Sequence, residues 1–377
     1  MQVVLFCHSL VSCWNHGNIH FLRGLVRELR ARGHAVRVLE PADGWSRENL
    51  LREQGEAALE RNRLATPADC VLTYFQRELD LEVTLDGADL VLVHEWNPPG
   101  LIERLGRRRL AGGRFLLLFH DTHHRALTRP SDMAHYRLEG YDGVLAFGAA
   151  LREIYLRRGW ARRVWTWHEA ADLRTFHPLP GLARDLDLIW IGNWGDDERT
   201  AELHEYLLSP IVDLGLKAAI HGVRYPDQAL RWLRRRRIEF RGWLPNYRVP
   251  QAFAGARATV HVPRRPYARA LPGIPTIRVF EALACGIPLV SAPWDDLEGL
   301  FTPGEDFLLV HSGEGMRAAL AAVLHDPALA EALAFRGRRT IEARHSCAHR
   351  VDELLAICAA LAPERFAADR APRRAVA

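Results

Sequence analysis

Apolar positions along this chain fall into two series in which short runs alternate with amphipathic stretches. Residues 3–7 (VVLFC) form a short apolar run and read as a buried strand. After a polar loop at 8–18, Ile19, Leu22, Leu25, Val26 and Leu29 recur at helical spacing, and Gly33 stops the helix. Further strands are predicted at 36–39, 90–93, 115–119, 143–146 and 164–167, with helical stretches between most of them. Residues 45–81 have a helical composition but no clear period, and no element is placed there. Residues 169–180 (EAADLRTFHPLP) carry two prolines and few core residues, so they read as a linker. A second series follows, with strands predicted at 187–191, 218–220, 238–240, 259–262, 289–291 and 307–310.

Strands alternating with helices imply parallel sheets covered on both faces. The expected class is therefore α/β, with two Rossmann-like domains facing across a cleft. Their boundaries read as 1–168, a linker at 169–180, a second domain at 181–340, a terminal helix at 341–363, and a tail at 364–377. The tail is rich in Ala, Arg and Pro without a period and is expected to be disordered. Ligands of such sheets bind beyond the carboxyl ends of the strands, which makes the cleft the default site.

Composition narrows the function classes. The 377 residues, 48% hydrophobic and 25% charged, suit two soluble domains rather than a disordered chain. No apolar run approaches the roughly 20 residues that span a bilayer, and the first residues read as a strand rather than a signal peptide. A cytoplasmic protein is expected. The six cysteines form no CxxC pair and read as reduced thiols, against a zinc site. The formal charge is +4 and Lys217 is the only lysine, so the positive charge is arginine. That balance suits phosphate-bearing ligands without requiring nucleic acid. The arginine run 231–237 reads as a solvated helix face in preference to a nucleic-acid patch. Trp160, Trp165 and Trp167 read as core packing in preference to a stacking platform.

The stretch 271–291 (LPGIPTIRVFEALACGIPLVS) carries the most chemistry. A Pro/Gly loop enters a helix at Pro275 or Thr276, which ends at Gly286 and runs into a strand. A loop feeding a helix offers backbone N–H groups and a positive dipole end, both suited to a diphosphate. Glu281 lies about a turn and a half in, where its carboxylate can accept two hydroxyls; Arg278 can contact phosphate. The residues alone equally allow a plain helix with Glu281 solvated and Arg278 as its surface partner.

This stretch resembles the donor-site motif of the broad group-one glycosyltransferases, which have the GT-B fold, and is nearest to their spore-maturation-type branch. Residues 170–178 (AADLRTFHP), 188–200 (LIWIGNWGDDERT) and 240–264 (FRGWLPNYRVPQAFAGARATVHVPR) resemble the family's linker, first donor-domain strand and base-binding region, in order. The resemblance implies that Gly192 and Asn193 lie near the phosphates and that Arg199 faces the leaving diphosphate. Gly242, Trp243 and Leu244 would frame the base, while Gly273, Ile274, Pro275 and Thr276 would cradle the diphosphate, beside Arg278. Glu281 would bind the ribose. It also implies that Gly17 and Asn18 approach the donor, that His120, Asp121 and His16 lie in the catalytic region, and that a last helix crosses back to the first domain. Two departures stand out. Gly273 occupies the place of a second glutamate, and the basic pair that usually includes a lysine has none.

The function these features imply is transfer of a sugar from a nucleoside-diphosphate sugar to an unidentified acceptor, retaining and metal-independent, with no cofactor. A nucleotide-sugar epimerase and a non-catalytic nucleotide-sugar-binding protein are the alternatives. A His120–His123 metal site lacks a helix and a third ligand.

Overall fold

The structure, a computed structural model, describes residues 1–15 and 17–366. His16, one of the expected catalytic residues, and positions 367–377 of the expected tail lie outside the described residues. The chain divides into two compact units. The first comprises Met1–Ser12, Leu25–His168 and the chain from Cys347 on; the second comprises Cys13–Gly24 and Glu169–Ser346.

The first unit is built on strands β1 (Gln2–Phe6), β2 (Ala35–Pro41), β3 (Val71–Tyr74), β4 (Leu90–His94), β5 (Leu116–Asp121), β6 (Gly143–Ala146) and β7 (Val164–Thr166). They form a seven-stranded sheet in the order β3-β2-β1-β4-β5-β6-β7. Every pairing in it is parallel. Apolar runs such as VVLF in β1 and LVLV in β4 are buried throughout, as a sheet covered on both faces demands.

Two expectations change here. The unassigned stretch 45–81 contains the helices Trp45–Gln54 and Glu56–Leu64 and the edge strand β3. Its weak pattern follows from position, since an edge strand buries little, and Leu72 stays 51% exposed. Strand β5 runs two residues further than its apolar pattern. Pairing of His94 with His120 and of Asp121 with Ala146 carries the ladder on.

The helix Cys347–Leu361 belongs to the first unit, where the Trp167 indole donates to Arg350 O at 2.9 Å. Residues 364–366 are ordered in the helix Pro363–Phe366, with Phe366 buried and Arg365 paired to Asp89. That part of the expected tail is therefore structured.

The second unit holds β8 (Leu186–Ile191), β9 (Ala218–His221), β10 (Glu239–Gly242), β11 (Ala256–His261), β12 (Leu289–Ser291) and β13 (Leu308–Leu309). These form a six-stranded parallel sheet in the order β10-β9-β8-β11-β12-β13. In it the strand order reverses between β8 and β11, with β9 and β10 added on one side and β11 to β13 on the other, which makes the ends of β8 and β11 the switch point of the sheet. After β8 the chain is helical over Thr200–Leu203 and Ser209–Asp213, with a π-helical stretch, His204–Leu208, between. Pro210 lacks an N–H and its ring crowds the carbonyl four residues back, and the wider turn just before it relieves both.

Residues 169–180 pack as part of this unit. Ala171 bridges Ser346, and Ala170, Ala171 and Phe176 are fully buried. Two alanines and a lone phenylalanine, spaced without a strand or helix period, conceal that burial from a periodicity reading. Among the described residues no single helix is long and apolar enough to cross a membrane.

Backbone from β8 and β9 meets closely at the switch point. A Cβ on Gly222 would fall inside the van der Waals envelope of Gly192 O. Gly222→Ala should therefore cost about 1–3 kcal/mol and lower the melting midpoint. Gly100→Ala, at a helical position with open space around it, should be neutral or stabilising. Denaturation of the two variants side by side checks this; equal midpoints would contradict the packing described.

Candidate active site

At the switch point of the second unit, the loop after β8 presents Gly192 and Asn193 and the loop after β11 presents Val262 and Arg264. Arg199 joins the two loops. Its guanidinium donates to Val262 O (2.7 Å), Asn193 O (2.7 Å) and Asn193 Oδ1 (3.1 Å), and lies 5.1 Å over the Trp190 ring. Arg264 donates to the same Asn193 Oδ1 at 3.3 Å and to Glu198 at 2.9 Å. Two guanidiniums thus share one amide oxygen. The Asn193 amide nitrogen donates in turn to Asn15 Oδ1 at 2.8 Å. Gly195, Asp196 and Asp197, just before Arg199 in sequence, all have positive φ (95°, 51° and 64°), a strained run of the kind stored at functional sites.

Burial pushes Arg199 down to about 9, and the nearby charges of Arg264 and Arg278 add to the effect. It remains a cation at neutral pH, held where a cation is disfavoured. Its Nε is buried without a hydrogen-bond partner. Three guanidiniums crowded together with one donor unmet form a site that an anion would stabilise.

The 271–291 stretch folds as its punctuation predicts. Thr276 stands at the N-cap of the helix Ile277–Ala284, and Gly286 follows its end with φ 65°. Gly273 needs its φ of 84°, and its N–H donates to Asp295 O at 2.6 Å. The carboxylate at this point comes from elsewhere: a Cβ on Gly273 would stand 2.9 Å from Glu298 Oε1. Glu298 lies in the loop after β12 and carries no motif that sequence reasoning could have used.

Thr276 does not cap its helix with its side chain, because its hydroxyl is 3.1 Å from His261 Nε2. Ser291 Oγ donates to Ala292 O, so it accepts from His261 Nδ1 at 2.9 Å. The proton of His261 is therefore on Nδ1, and Nε2 accepts from Thr276. Burial, with the charges of Arg199 and Arg278, pushes this imidazole down to about 3 and keeps it neutral.

Glu281 departs most from expectation. It is 0% exposed, neither solvated nor open for two hydroxyls. Oε1 accepts from His20 Nδ1 at 3.1 Å and Asn246 Nδ2 at 3.0 Å, and Oε2 accepts from Arg278. Burial raises the carboxyl; the Arg278 charge and the hydrogen bonds from His20 and Asn246 outweigh it and hold the group below the usual carboxylate range. Arg278, expected on phosphate, is here the partner of Glu281. His20 and Asn246 were not singled out from the sequence, because each belongs to a segment distant in the chain.

The remaining donor-side residues are spread around this core. Gly17 packs against Ile277, with a Cβ there meeting Ile277 Cγ2 at 3.0 Å, and Asn18 O accepts from Leu22 N at the start of the helix Ile19–Ala31. Gly242 ends β10 with φ 66°, and the Trp243 indole donates to Cys13 O at 3.0 Å. Leu244 is half-buried, and Ile274 and Pro275 are buried.

In the first unit, His120 and Asp121 are the last residues of β5 and are 1% and 0% exposed, beyond the strand end expected at Phe119. The extended ladder draws them into the sheet. Asp121 accepts from Tyr155 Oη at 2.6 Å and His123 N at 3.0 Å. Burial, then the charge of Glu95, raises its carboxyl well above the usual range. Glu95, itself buried, is paired with Arg125 at 2.7 Å. Beyond four neighbouring strands, β2, β1, β4 and β5, stand the rings of Trp45, His8, Trp96 and His123; His8 and Trp45 stack at 5.4 Å, and Trp96 and His123 meet at 5.1 Å. Among the described residues no group of three or more His, Cys, Asp or Glu is placed to hold a metal ion.

The His261 value makes a pH prediction. An unfolded histidine takes its proton near pH 6.5, whereas His261 resists it down to about 3. Between those values the unfolded chain binds more protons, so stability falls as pH drops. His261→Gln should flatten that part of the acid-denaturation curve. An unchanged curve would contradict the assignment.

Residues 199–356 match the family model described as glycosyl transferase-like. A comparison with curated proteins gave no match. Among solved structures, the chain is similar to sucrose-phosphate synthase from Thermosynechococcus elongatus, at 18% identity and a TM-score of 0.64, covering 95% of this chain and 99% of that one. It is also similar to Anabaena HepE in complex with UDP and glucose, at 14% identity and TM-score 0.64, covering 94% and 99%. An S. aureus TarM variant in complex with Fondaparinux, alpha-GlcNAc-glycerol and UDP aligns at 9% identity and TM-score 0.66, covering 95% and 99%. At such identities the likeness is one of fold, and the fold of this chain is the GT-B glycosyltransferase fold.

Proposed function

We propose that this protein is a glycosyltransferase that takes its sugar from a nucleoside-diphosphate sugar bound at the switch point of the second unit. The observation that carries this reading is the convergence of Arg199, Arg264 and Arg278 on that point, with Arg199 Nε unmet. A diphosphate would satisfy that donor and offset the mutual repulsion. Its charge grows as the glycosidic bond breaks, so the same guanidiniums stabilise the leaving group. UDP is the first nucleotide to test, since the HepE and TarM structures contain it.

Retention of anomeric configuration fits best. An inverting enzyme needs an accessible base, and the candidates His120 and Asp121 are enclosed in β5. Arginine charge at the diphosphate also supports transfer without a metal, so activity should persist in EDTA, and the anomer of the product reads the stereochemistry directly. Glu298, beside Gly273, would accept a hydroxyl of the donor sugar; a carboxylate there repels phosphate and suits hydroxyls.

Two variants test the donor site. Arg199→Leu should weaken UDP binding by roughly 10- to 100-fold, consistent with about 1.5–3 kcal/mol for a charge-assisted hydrogen bond. Arg199→Lys should fail to restore it, because a point charge cannot bridge two loops. Glu298→Gln should leave UDP affinity intact but weaken binding of the nucleotide sugar. Calorimetric titration distinguishes these outcomes. UDP binding unaffected by loss of Arg199 would remove the basis of the proposal.

A further inference from the structure

We infer that His20 is a positioning residue of the nucleotide site, holding the Glu281 carboxylate in place and tying it to the 172–176 segment. The inference rests on the donor-site reading above, because it concerns how Glu281 is presented there.

The geometry fixes the tautomer. The backbone N–H of Asp172 donates to His20 Nε2 at 2.7 Å. Nε2 must therefore be the unprotonated nitrogen, and the proton lies on Nδ1, 3.1 Å from Glu281 Oε1. The ring is set by Phe176, stacked on it at 3.8 Å with an interplanar angle of 18°. Asp172 is fixed in turn, accepting from Arg174 N at 3.2 Å and Thr175 Oγ1 at 2.9 Å. A continuous chain of contacts thus runs from the 172–176 segment through His20 to Glu281.

The consequence for Glu281 is a count of lone pairs. A carboxylate has about four acceptor positions. His20, Asn246 and Arg278 fill three, two of them on Oε1. One position on Oε2 is left, on the side of Arg278. If Glu281 binds a ribose it takes one hydroxyl, at an oxygen whose orientation His20 sets from the opposite end of the carboxylate. The Arg278 charge and the hydrogen bonds of His20 and Asn246 hold Glu281, while the thiols of Cys13 and Cys285 feel its field. Of these, His20 alone connects it to the segment beyond His168.

The test compares UDP titrations of the full-length protein, His20→Phe, His20→Asn and Glu281→Gln between about pH 5 and pH 7. Phenylalanine keeps the stacked ring but loses the donor; the asparagine amide can place a donor near Nδ1. The phenylalanine variant should bind UDP about tenfold more weakly, with the gap to the parent widening toward acid pH, because Glu281 loses a hydrogen bond that favours its charged form. The asparagine variant should recover most of the affinity. In the parent, 15N chemical shifts of His20 should show Nδ1 protonated and Nε2 bare, a reading that requires no variant to fold. If His20→Phe binds UDP like the parent while Glu281→Gln does not, the donor site stands and the positioning role is overturned. Equal losses in the phenylalanine and asparagine variants, or a proton on Nε2, also overturn it. Parent-like binding by Glu281→Gln overturns the donor role of Glu281 and the positioning role with it.

Discussion

Like charges held close together in a folded protein need a reason, and the second unit depends on one such arrangement. Arg199 is 8% exposed, shares Asn193 Oδ1 with Arg264, and lies within the field of Arg278. Each guanidinium finds local acceptors, yet burial and repulsion still leave Arg199 depressed to about 9. The parallel sheet explains where the charges meet. Only at the reversal between β8 and β11 do two loops open away from each other, and Arg199 closes that gap through Val262 O and Asn193 O.

The second buried charge system follows a different rule. Glu281 is neutralised by Arg278 and hydrogen-bonded by His20 and Asn246, so it is nearly saturated where Arg199 is not. Removing one member of such a buried network typically costs about 3–5 kcal/mol. Its stabilising contribution is complete above the unfolded glutamate value of about 4.3 and is lost as pH falls through the lower folded value. The carboxylate is thus a structural centre as well as a candidate ligand contact. His261, neutral between Ser291 and Thr276, joins β11 and β12 to the entry of the helix that carries Glu281.

Much of this was legible in the sequence because parallel strands are locally encoded. Apolar runs in β1, β4 and β5, and the shorter run at 188–191 in β8, each ended by polar residues, suffice to find a doubly wound pattern. Gly286 and Thr276 mark the limits of one helix by backbone preference alone. What escaped was set by distant pairing. β3 is an edge strand with exposed Leu72, so it has no apolar signature. His120 and Asp121 look like loop residues until their partners His94 and Ala146 extend the ladder. The ligands of Glu281 come from positions 20, 246 and 278, and the carboxylate beside Gly273 comes from position 298. No local pattern announces residues that meet only after folding. Residues 13–24, which follow the first strand, group with the second unit for the same reason.

The central claim is that the switch point of the second unit binds a nucleoside diphosphate through its arginines. Amide hydrogen exchange with and without UDP tests it most directly. The account predicts slowed exchange across residues 192–199, 262–264 and 273–281, with the strands of the first sheet unchanged. Unaltered exchange in those three segments at saturating UDP, or protection confined to the first unit, would contradict it.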